Sequence, residues 1–154
     1  MFSNKKIQQL CLAAVLIFAA CAPLAAQGQG QTLEGAWLIS IAVDGQPGPF
    51  AIDMPIFDGR GGYRVIPSDK HESEAAGSYQ RTGNRGFRTT HTHILYDDLG
   101  HFAGVAKVIG ALDVNEAGDA LAGRYRVDFL DAAGHIVDHV TGTITGKRVV
   151  PESL

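Results

Sequence analysis

Two histidines, His91 and His93, flank a single threonine in the stretch that runs from Phe87 to Leu95. If that stretch is a strand, alternation sends both imidazoles to one face, together with Phe87 and Leu95. Imidazole exchanges a proton near neutral pH, ligates metals and makes hydrogen bonds. A carboxylate on the same face would complete an acid–base pair. Asp138 is expected to supply it, because a buried carboxylate is costly unless partnered and imidazole is a natural partner. The hydroxyls of Tyr63, Tyr79 and Tyr125 and the rings of Phe102 and Phe129 are expected on that face too. Such a set can serve as a satisfied polar cluster in a filled core. It can instead orient a ligand in a mostly apolar pocket. A third use is catalytic, with His91, His93, Asp138 and Tyr125 moving protons, or with His91, His93 and Asp138 as a three-ligand metal site.

Other candidates carry less. His135 and His139 have the spacing of a helical zinc pair, but their segment alternates as a strand and sends both outward. His101 and Lys107 also fall on the outward face. There is no nucleophile elbow, phosphate loop or His-Glu-x-x-His motif. Both cysteines, Cys11 and Cys21, lie near the start, so the rest of the chain can build neither a disulfide scaffold nor a cysteine zinc site. No cofactor and no metal are expected.

The elements that must position these residues read as strands. Gly35, Trp37, Ile39, Ile41 and Val43 share one face, as do Ile52, Met54 and Ile56, then Tyr63 and Val65. Phe102, Ala106, Val108 and Leu112 continue the pattern, and Leu121, Tyr125, Val127 and Phe129 repeat it with Arg124, Arg126 and Asp128 between them. Period two over many short segments is the strand signature. Four turns share Asp/Asn-x-x-Gly: Asp58–Gly61, Asp97–Gly100, Asn115–Gly118 and Asp131–Gly134. Asp or Asn opens such a turn by bonding its own backbone, and Gly closes it in the left-handed region. Further breaks at Asp44–Pro49, Pro67–Ala75 and Gly83–Arg85 bring the expected total to eight strands.

Four-residue turns set an expected register. They place Leu95 opposite Phe102, His93 opposite Gly104, His91 opposite Ala106, Leu112 opposite Leu121, Phe129 opposite Ile136, Val127 opposite Asp138 and Ile56 opposite Tyr63. Gly77 is expected beside His91 on its other side. Eight sequential antiparallel strands with one apolar face hide that face and their edges by closing into an up-and-down barrel. Glycines at 104, 110, 123 and 142 suit a sharply curved sheet.

The chain has 154 residues, 45% hydrophobic and 19% charged, which allows one domain with a real core. Met1 to Ala26 reads as a secretory signal: Lys5 and Lys6 precede an apolar run from Leu10 to Cys21, and Leu24-Ala25-Ala26 offers a cleavage site. Residues 27–31 form a flexible leader, 32–149 the barrel and 150–154 a tail. Phe18-Ala19-Ala20-Cys21 also resembles a lipobox, in which Cys21 would be lipidated and hold the domain on a membrane. Loss of Lys5 and Lys6 leaves 11 basic against 16 acidic residues, a balance that disfavours nucleic acid as a partner. The protein is expected to be periplasmic or secreted. Val105, Ile109 and Ala111 on the outward face suggest a monomer or weak homodimer. The charged run Asp69–Glu74 is expected on the surface, or else as a lid over the open end.

Gly35-Ala36-Trp37 at the start of the first strand, the meander of eight strands, and Arg148 just after the last resemble the calycin group, which includes the lipocalins. The resemblance implies that Trp37 packs against Arg148 at the closed end. It also implies a barrel that holds a small apolar molecule. The chain departs from classical lipocalins in lacking a C-terminal helix and a disulfide. The expected function is binding of a small hydrophobic molecule, with a cyclase- or isomerase-type enzyme and a barrel-shaped inhibitor or interaction protein as alternatives.

Overall fold

The computed structural model describes residues 31–152. The signal segment and Cys21 lie outside the described residues. Eight strands follow one another: β1 (Gly35–Val43), β2 (Ala51–Phe57), β3 (Gly62–Ile66), β4 (Ala75–Arg81), β5 (Gly86–Tyr96), β6 (Phe102–Val114), β7 (Ala120–Leu130) and β8 (Ile136–Arg148). Each pairs antiparallel with the next, and β8 returns to β1 to close an up-and-down barrel. Among the described residues no helix is long and apolar enough to cross a membrane.

The Asp/Asn-x-x-Gly turns form as their residue types dictate. In each, the first side chain accepts backbone N–H bonds, as Asp97 Oδ1 does from Leu99 (2.9 Å) and His101 (2.8 Å). Gly100, Gly118 and Gly134 close their turns at φ of 80°, 75° and 84°. The ladder, however, begins one residue earlier than a four-residue turn assumes: the N–H groups of Asp58, Asp97 and Asp131 donate to the carbonyls of Gly62, His101 and His135. A type I turn followed by a left-handed residue gives this three-residue loop.

The consequences differ between hairpins. In β5–β6 and β7–β8 an irregularity at Leu95/Tyr96 and at Phe129/Leu130 adds a second one-residue shift. Two shifts restore the parity, so the inward face survives while every partner moves by two. Leu95 therefore pairs with Gly104 rather than Phe102, His93 with Ala106, His91 with Val108, and Phe129 with Asp138 rather than Ile136. In β6–β7 Asn115 bonds across to Ala120, and Leu112 meets Gly123 rather than Leu121. No irregularity compensates in β2–β3. Phe57 pairs with Tyr63, and the faces of β2 are the reverse of those expected. Asp53, Pro55 and Phe57 are buried, while Ile52 is 52% exposed.

The interior is filled at one end and hollow at the other. Trp37 and Leu33 are fully buried at the closed end, the indole N–H donates to the Leu33 carbonyl at 2.8 Å, and the Arg148 guanidinium lies 4.2 Å over the indole. Arg148 also donates to the carbonyls of Gly118, Thr32 and Glu34, tying the β6–β7 turn and the segment before β1 to β8. Above this plug Phe57 stacks on Tyr63 at 4.7 Å and meets Tyr79 edge-on at 5.2 Å. Tyr79 then leads to Phe87 at 6.2 Å.

Candidate functional site

A cavity of about 180 Å³ occupies the open half of the barrel. Its walls are mainly apolar: Ile39, Ile41 and Val43 from β1, Val108 from β6, Val127 and Phe129 from β7, Val140 and Ile144 from β8. Its polar groups collect around His91, His93, Asp53, Asp69 and Glu72, with Tyr125 also on the wall. A void of about 30 Å³ below it is bounded by Tyr63, Thr89 and His91.

β5 places the two imidazoles two residues apart on one face, with ring centroids 4.8 Å from each other. His91 Nδ1 shares a 2.6 Å hydrogen bond with the Tyr63 hydroxyl. The approach depends on Gly77, which pairs with His91, since a Cβ there would stand 2.6 Å from the His91 Cβ and 2.7 Å from the Tyr63 ring. Burial, with the adjacent His93, pushes the His91 pKa down to about 3, so His91 is neutral at physiological pH. Burial likewise raises the Tyr63 phenol, which stays protonated. His93 is 2% exposed, and its Nδ1–H donates to the Ser73 carbonyl at 2.7 Å. A carbonyl only accepts, so in neutral His93 the lone pair sits on Nε2.

The carboxylate expected from β8 is not there. Asp138 is exposed and lies at the rim, beyond Val140, because the β7–β8 register moves it one pair further toward the open end. It faces neither histidine, and the His91–His93–Asp138 metal arrangement does not form. Among the described residues no group of three or more His, Cys, Asp or Glu is placed to hold a metal ion. Two other carboxylates stand beside His93 instead. Glu72 Oε2 lies 3.8 Å from His93 Nδ1. Asp53, 7% exposed, accepts from the Ser68 N–H at 3.0 Å. Burial raises the pKa of both, and His93 acts to lower them.

Glu72 reaches the site because the segment after β3 folds back over the rim. Tyr96 N–H donates to His71 O (2.8 Å), Ser73 N–H to Ile94 O (2.9 Å) and Ile94 N–H to Ser73 Oγ (2.9 Å). The charged run is thus a partial cover: Lys70 and His71 face a surface recess, while Asp69 and Glu72 face the cavity.

Of the other expected site residues, Tyr125 and Phe129 line the cavity. Tyr63 contributes from beneath through His91, and Tyr79 packs in the aromatic stack away from it. Phe102 stands past the irregularity in β5–β6 and is 53% exposed. His135, just before β8, and His139 on it are both exposed. Asp53, Glu72 and Ser73 were not foreseen. A lone Asp within Ile52–Ile56 was the available signal for the first; the β2 face decided its meaning. Comparison with protein-family models, curated proteins and solved structures gives no match.

Proposed function

We propose that the protein binds a small, mainly apolar molecule in the open half of the barrel. The observation that carries this is the hollow above a well-packed plug, walled by valines and isoleucines with its polar groups gathered together. Size sets the class of ligand. The 180 Å³ is near the roughly 150 Å³ of a cavity that takes benzene and below the ~300 Å³ of common ligand pockets. A single ring with a short arm fits; a long acyl chain does not fit inside. The acid–base enzyme reading has less support, because the expected His–Asp138 pair is absent. In keeping with the signal segment, we assign the protein to the periplasm or exterior; the intact mass of the mature N-terminus, cleaved after Ala26 or acylated at Cys21, tests this.

The binding test is stabilisation by single-ring probes such as toluene and ethylbenzene. A ligand at a hundredfold excess over its Kd adds about 2.7 kcal/mol to the folded state. Wild type should show such a gain, and Val127→Phe, which places a ring in the cavity, should lose it. No stabilisation of wild type by any probe up to its solubility limit would refute the proposal.

A further inference from the structure

Resting on the binding reading above, we infer that the cavity selects a ligand that carries a cationic amine on its apolar body, with Asp53 as the anchoring carboxylate. The selection rests on a charge balance among the groups that line the cavity. The cavity wall includes three carboxylates, Asp53, Asp69 and Glu72, and no lysine or arginine. Asp69 already has a partner, since its Oδ1 takes His71 Nδ1 at 2.9 Å and the His71 N–H at 2.8 Å. Asp53 and Glu72 have only His93 between them. Its Nδ1–H is given to the Ser73 carbonyl, and Glu72 stands off at 3.8 Å, beyond hydrogen-bond distance. His91 is neutral and adds no positive charge.

The second observation is the state of Asp53 itself. The residue as a whole is 7% exposed, and only Oδ1 is bonded, to the Ser68 N–H. No buried side-chain nitrogen or oxygen is without a partner among the described residues. The unbonded Oδ2 is therefore not sealed in protein. Asp53 lines the cavity, the space onto which this atom would open. Desolvated carboxylates without a counter-charge are costly. An ammonium placed against Oδ2 would supply both the missing hydrogen bond and the missing charge. Charge-assisted bonds of this kind are about twice as strong as neutral ones. The apolar wall formed by Val108, Val127, Val140 and Ile144 would then take a ring or short chain.

The experiment compares three probes of one shape at pH 7.5 by calorimetry: 2-phenylethylamine, 2-phenylethanol and ethylbenzene. The amine is expected to bind at least tenfold more tightly than either neutral analogue. In Asp53→Asn, which keeps the acceptor for Ser68, the ratio of amine to ethylbenzene affinity should fall to about twofold or less. Equal affinity for all three probes overturns the cationic assignment and leaves the apolar-binding reading intact. Binding of none overturns both. Should Asp53→Asn fail to fold, Glu72→Gln on the rim is the second variant: retention of most of the preference there supports Asp53 as the anchor, and its complete loss overturns that assignment. The wild-type comparison alone decides the charge preference.

Discussion

Replacing His91 by glutamine tests whether the inner imidazole is a neutral group kept from water. Its pKa is about 3 in the folded barrel against 6.5 for the free side chain. As pH falls, the unfolded chain takes up this proton first and the folded chain refuses it. The contribution is therefore fully present above about 6.5 and is lost progressively down to about 3. Each unit of difference is worth about 1.4 kcal/mol, so the loss between pH 7 and pH 5 comes to about 2 kcal/mol. The glutamine of His91→Gln takes up no proton in this range and keeps an amide near the Tyr63 hydroxyl. Urea melts of both proteins at pH 7 and pH 5 give the comparison, in which groups remote from the site cancel. Wild type should lose about 2 kcal/mol more than His91→Gln, a midpoint difference of about 1 M for the usual urea slopes. Equal losses in the two proteins would refute the reasoning, and so would titration of His91 near 6.5 by NMR.

Two further predictions concern the frame. Trp37→Ala should cost about 3–5 kcal/mol in denaturant melts, because it empties the fully buried closed end and strips Arg148 of its ring; a cost below ~1 kcal/mol would mean that the plug does not hold the barrel. Gly142→Ala should destabilise by more than about 2 kcal/mol, since the new Cβ would run into the Ala42 carbonyl and the Tyr125 ring; an unchanged melting temperature would count against the β1–β8 closure.

Residue types alone specified the alternation, the Asx-opened turns and hence the antiparallel order, because each of these rests on contacts within a few residues. They also put His91 and His93 on the face of Phe87, and Gly77 beside His91, where the structure has them. Register is a different matter. Whether a turn closes over three residues or four, and whether an irregularity then restores parity, depends on how two strands fit the curved wall around them. That fit moved Asp138 to the rim and turned Asp53 inward. The fold-back of residues 67–74 likewise depends on hydrogen bonds that His71 and Ser73 exchange with the end of β5, far along the chain. The sequence by itself therefore determined the barrel and one half of the site, the imidazoles. Closure decided the other half, because the carboxylates reach His93 through pairings that no local pattern encodes.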